Sequence, residues 1–128
     1  MVIICFETND KTIYLGGDSG YDSHFKKIGG KWEKFDLAIL ECGQYNLAWH
    51  YIHMLPNEII QAAKDLNTKI LMPVHWGKFA LAFHPWNESI STVMNYAEEQ
   101  QIPILSPGIG ETVNISSPYS NKWWKELK

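Results

Sequence analysis

A chain of 128 residues, 45% apolar and 20% charged, has the size and composition of one globular domain with a real core, which excludes a disordered chain. The formal charge of −3 offers no basic surplus for neutralising phosphates and argues against a nucleic-acid binder. No apolar run approaches the roughly 18 residues of a membrane span, and the opening Met1 to Phe6 has neither the cationic lead nor the cleavage site of a signal peptide. Cys5 and Cys42 each sit in a strand-like apolar run, so they read as buried thiols of a cytoplasmic protein.

Val2 to Glu7 and Thr12 to Leu15 are β-type runs separated by the turn cluster Thr8-Asn9-Asp10-Lys11, which predicts a β-hairpin. The hairpin leads into Gly16-Gly17-Asp18-Ser19-Gly20-Tyr21. A short helix is predicted over residues 22 to 28, capped by Asp22 or Ser23 and ended by Gly29-Gly30. Phe35 to Leu40 is a continuous apolar run of the kind found in a strand covered on both faces. Asn46 to Met54 is aromatic-rich and reads as loop or irregular helix. Pro56 opens a helix running to Leu66, with Ile59, Ala62, Ala63 and Leu66 forming one apolar stripe.

Lys69 to Val74 is the next predicted strand and ends at His75-Trp76-Gly77. Residues 86 to 101 carry an amphipathic helix with Ile90, Val93, Met94 and Ala97 on one face. Ile102 to Leu105 and Thr112 to Ile115 are predicted strands, and residues 116 to 128 a polar tail containing Trp123-Trp124. Strands and helices alternate, which implies an α/β fold with helices packed on a sheet. In such sheets ligands gather beyond the carboxyl ends of the strands. Asp18, Glu41 and His75 each stand just past such an end.

Asp18 is either a turn aspartate bonding its own backbone or a metal ligand. A carboxylate can span two cations roughly 3.5–4 Å apart, which an imidazole cannot. His75, in Val-His-Trp-Gly-Lys-Phe, is placed as zinc-type imidazoles are, although a lone histidine is more commonly a satisfied core residue. His53, in Ile-His-Met-Leu-Pro, is open to three roles: ligand, general acid or helix cap. His24 and His84 read as structural. Among the six Trp and six Tyr, Tyr21, Tyr45 and Trp76 neighbour these segments and are the candidate substrate contacts.

Taken in order, Gly17-Asp18-Ser19-Gly20-Tyr21, Phe35-Asp36-Leu37-Ala38, His53-Met54-x-Pro56-x-Glu58 and His75-Trp76-Gly77-x-Phe79 resemble the C-terminal half of metallo-β-lactamase-fold hydrolases. The resemblance is to the N-acyl-phosphatidylethanolamine phospholipase D-like branch and covers residues 2 to 105. It implies the second half of an αββα sandwich, a partial domain over residues 1 to 115, and a site for two zinc ions. By the same resemblance Asp18 bridges the metals, His75 ligates one, and His53 acts on substrate or leaving group. A metal-held hydroxide would then attack a phosphodiester, ester or lactone.

Three departures stand out. The upstream His-x-His-x-Asp-His motif of the family is not in this chain, Glu41-Cys42-Gly43 replaces a more apolar segment, and Lys78 stands where threonine is familiar. Two protein ligands, Asp18 and His75, are fewer than the three of a catalytic zinc. Weak or no metal binding, and little or no activity, are therefore expected of the chain alone. One sheet face should be covered by Phe25, Ile59, Ala63, Val93 and Met94. The other should expose apolar residues and favour a homo-oligomer. The competing expectation is a non-catalytic α/β dimerisation or interaction module.

Overall fold

The computed structural model describes residues 3–127. Strands β1 (Ile3–Glu7) and β2 (Thr12–Gly16) form the hairpin, paired antiparallel with Cys5 opposite Tyr14. Helix α1 (His24–Trp32) crosses to β3 (Leu37–Glu41), and α2 (Pro56–Asp65) crosses to β4 (Leu71–Val74). Both crossovers return parallel strands, giving one sheet in the order β1-β2-β3-β4. Helix α3 (Glu88–Glu99) follows β4.

Strand periodicity divides the sheet into two faces. Tyr14, Ala38, Leu40 and Leu71 point toward the helices and join Phe25, Ile59, Ala63, Val93 and Met94 in the main core. The apolar stripes of α2 and α3 are buried where the sequence placed them. Pro56 opens α2, and Glu58 reaches back to accept a hydrogen bond from the Leu55 backbone N–H at 2.8 Å, satisfying a donor left free at the helix start. The opposite face carries a smaller cluster of Leu37, Ile70 and Leu105, with Val113 and Ile115 packed against it. The predicted α/β architecture, with helices on one face of the sheet, is present.

Three expectations are corrected. Gly29-Gly30 do not end α1, which continues to Trp32. Gly29 is buried where α1 meets the end of α2, and a β-carbon there would overlap the Asp65 carbonyl oxygen, so the glycine serves close helix packing. Neither Asp22 nor Ser23 caps α1 through its side chain in the expected way: Ser23 makes no side-chain cap bond, and Asp22 accepts instead from the adjacent Ser23 backbone N–H. The predicted strands at 102–105 and 112–115 are not regular strands. Leu71 exchanges hydrogen bonds with the Pro103 carbonyl and the Leu105 N–H, both at 2.9 Å, which makes one isolated bridge. Pro103 has no N–H to extend it.

Residues 116–127 fold back onto the body of the chain. Trp124, in a 3₁₀ turn at Trp123–Lys125, is 1% exposed and belongs to the main core, with its indole edge-on to Trp76 at 5.0 Å.

Candidate metal centre

The sheet delivers its chemistry at the ends of β2, β3 and β4. The chain leaves β2 through Gly16 and Gly17 and reaches Asp18, which is half exposed. Two residues on, the Gly20 backbone N–H donates to the Tyr51 carbonyl at 3.1 Å. A β-carbon at Gly20 would overlap the His50 carbonyl, so glycine allows the Asp18 loop to lie directly on the segment leading to His53. Gly43 does the same after β3: a β-carbon there would overlap the His75 carbonyl oxygen. His75 itself takes left-handed backbone, with φ at +66°. Such conformations are uncommon outside glycine and concentrate at functional positions.

These approaches bring three side chains together. Asp18, His53 and His75 each offer one ligand atom, and the three atoms lie within 4.8 Å of one another. The His75 Nε2 stands 3.8 Å from the Asp18 Oδ1, and the two imidazole rings stack at 5.7 Å with 13° between their planes. Two imidazoles and a carboxylate form the mixed nitrogen and oxygen set that suits zinc and similar divalent ions. The residues present therefore fit a metal ion. The structure brings His53 into this set, whereas its sequence context left three roles open.

Behind His53 lies Glu41, at the end of β3 and 2% exposed. Its Oε1 accepts the Met54 backbone N–H at 3.0 Å, and its Oε2 faces the His53 Nδ1 at 3.3 Å. Burial pushes the Glu41 carboxyl up to about 7, the Met54 N–H pulls against that rise, and the negative charge of Asp18 adds to it. The sequence had marked Glu41 as a strand-end carboxylate without giving it a role. The signal was its place four residues before Tyr45, in a segment where the resemblance implies apolar residues.

Of the expected substrate contacts, Tyr21 shares an open cleft of about 690 Å³ with Asp18, His24, Tyr51 and Ile52. Its hydroxyl donates to Asp65 at 2.6 Å, a bond that pushes the phenol up to about 12. Trp76 sits beside His75 on the wall of a second hollow, with its Nε1–H given to the Pro73 carbonyl at 3.0 Å. Tyr45 stands apart from the cleft: it stacks on His84 at 4.3 Å, donates to Glu88 and lines a separate groove with Leu47 and Phe83. Gln44 ties down the segment after His75, donating to the Phe79 carbonyl and accepting from the Leu81 and Ala82 N–H groups.

Comparison with known proteins shows the family and the fold. Residues 2–76 match the family model of the β-lactamase superfamily domain. The chain is 40% identical over 116 residues to an uncharacterised protein of Mycobacterium tuberculosis, covering 88% of this chain and 31% of that protein. It is 38% identical over 74 residues to the mitochondrial N-acyl-phosphatidylethanolamine-hydrolysing phospholipase D of Saccharomyces cerevisiae, covering 55% of this chain and 16% of that one. A metal-dependent hydrolase of Bacillus cereus is 36% identical over 76 residues, covering 59% and 30%. Among solved structures, the metallo-β-lactamase-fold protein YhfI of Bacillus subtilis superposes with a TM-score of 0.63 at 20% identity, covering 85% of this chain and 42% of that one. The chain thus spans less than half the length of each of these relatives. It belongs to the β-lactamase superfamily, with the metallo-β-lactamase fold, and is similar to the N-acyl-phosphatidylethanolamine phospholipase D-like branch.

Proposed function

We propose that this chain forms part of a zinc-dependent hydrolase acting on a phosphodiester or on an ester or lactone, with a phospholipid-like molecule as one substrate class. The observation that carries this reading is the convergence of Asp18, His53 and His75 from three separate segments onto one point. Asp18 and His75 hold the metal through a carboxylate oxygen and an imidazole nitrogen. Bound zinc would supply Lewis acidity and lower the pKa of water to about 7. His53, stacked on His75 in the same cluster, takes or returns a proton at the reacting oxygen. Tyr21 walls the cleft, while Trp76 steadies the His75 turn through its bond to Pro73. Zinc weaker than in the complete family site follows from the small ligand set. The free thiols of Cys5 and Cys42 fit a reducing, cytoplasmic compartment.

Calorimetric titration with Zn²⁺ tests the reading. One binding event is expected, weakened by about 10-fold or more in Asp18→Ala and in His75→Ala. A wild-type chain that takes up no zinc, or variants that bind it as tightly as the wild type, would sink the proposal.

A second reading, an interaction module that associates through the sheet, is favoured by one observation. Ile4 and Phe6 on β1 are 43% and 50% exposed on the face away from the helices. The two readings are compatible, and a homo-oligomer joined through that face is part of the proposal.

A further inference from the structure

We infer that Glu41 is the positioning residue for His53, fixing the proton on Nδ1 so that Nε2 presents its lone pair to the cleft. This deepens the reading of His53 as the proton-handling side chain of the site, and it rests on contacts that the metal does not enter.

The Glu41 carboxylate clasps two consecutive residues. Its Oε1 is taken by the Met54 backbone N–H, and its Oε2 is aimed at the His53 Nδ1. Oε2 and Nδ1 are both buried and 3.3 Å apart, and among the described residues neither is satisfied by a hydrogen bond. A buried polar atom left without a partner costs about 1–3 kcal/mol, so a small turn of the imidazole that closes this approach into one hydrogen bond satisfies both atoms at once. Above a pH of about 7 Glu41 is ionised, and a carboxylate has only lone pairs to offer. The hydrogen in that bond therefore sits on Nδ1, and in the neutral ring Nε2 is left without one. That is the nitrogen state required to accept a proton or to hold a cation.

A purely structural role would look different. Glu41 could serve only to anchor the Met54 backbone, and the His53 tautomer would then be indifferent to it. Glu41→Gln separates the two roles. The Met54 N–H can only donate, so it claims the single amide oxygen of the glutamine. The amide N–H group is then turned to His53, Nδ1 must become the acceptor, and the ring proton moves to Nε2.

The experiment is long-range proton–nitrogen NMR on the metal-free, nitrogen-labelled chain at about pH 8.5, above the ordinary imidazole range. His53 is assigned by the loss of one of the five imidazole patterns in His53→Asn. In the wild type, Nδ1 is expected in the protonated, pyrrole-like range and Nε2 in the pyridine-like range. In Glu41→Gln the two positions exchange while the other four imidazole patterns stay in place. A wild-type His53 protonated at Nε2 overturns the inference, and so does a folded Glu41→Gln that keeps the wild-type pattern. If the variant does not fold, the wild-type spectrum alone decides. Because the sample holds no metal, a failure of zinc binding would strike the proposed function and leave this result standing.

Discussion

At the scale of single residues, the site depends on what two glycines lack. Gly20 and Gly43 have ordinary backbone angles, yet each sits where a β-carbon would run into the carbonyl of another segment, at His50 and His75 respectively. In the sequence both register only as punctuation near polar residues, because the neighbour that requires the glycine lies 30 or more positions away. Gly43→Ala should push the His75 turn off the end of β3, costing about 1–3 kcal/mol as overpacking does. Because His75 moves with that turn, the variant should also lose about 10-fold or more in zinc affinity; thermal melting and calorimetry read the two losses separately. Asp18, His53 and His75 were legible through the order of motifs. Glu41 was not, since its role appears only when His53 swings back against it from a loop twelve residues on. Tyr45, by contrast, looked available in the sequence, but its hydroxyl is committed to Glu88 outside the cleft.

At the scale of elements, helices were easier to read than strands. The stripes on α2 and α3 repeat over several turns, and burial follows them. The 102–105 and 112–115 runs have strand-like composition, but pairing depends on a partner and on free N–H groups. Pro103 removes one from the first run. The start of the parallel sheet is pinned by polar contacts that periodicity cannot show. Asp36, just before β3, accepts from the Lys69 Nζ at 2.7 Å and from the Thr12 backbone N–H at 2.9 Å. The Lys69 bond first, and the Thr12 N–H second, hold its carboxyl down at about 2. A carboxyl lowered on folding stabilises the folded chain above its unfolded pKa, near 3.8, and that contribution disappears as the pH falls through about 2. Asp36→Asn should therefore lower stability at neutral pH by about 1–2 kcal/mol, at or below the low end of the range for bonds to a charged group because solvent screens the half-exposed Lys69. Below pH of about 2 the variant and the wild type should converge. Urea unfolding at a series of pH values measures both effects, and a loss independent of pH would refute the assignment.

At the scale of the whole molecule, the two faces of the sheet are unequal. The helix face is closed by α1, α2, α3 and Trp124. On the other face, the register places Ile4 beside Leu15 and Phe6 beside Ile13, then Leu15 beside Ile39 and Ile39 beside Met72. Val113 and Ile115 pack only on the Leu37, Ile70 and Leu105 side of this apolar row. The β1 side stays open, with Ile4 and Phe6 each close to half exposed. Continuous apolar strips of this kind mark interaction sites on protein surfaces, and β1, at the edge of the sheet, adds unpaired backbone groups to this one. The occupant proposed is a second copy of the same chain. Static light scattering at roughly tens of micromolar should report a mass above one chain, and Ile4→Thr combined with Phe6→Lys should return it to the monomer. The double variant should keep its helical circular dichroism, because both side chains lie opposite the helices and outside the main core. It should also keep zinc affinity, because both substituted residues lie on β1, the strand farthest in sheet order from the one that leads into His75. A wild type that is monomeric and binds no hydrophobic dye would remove self-association as the function of this face.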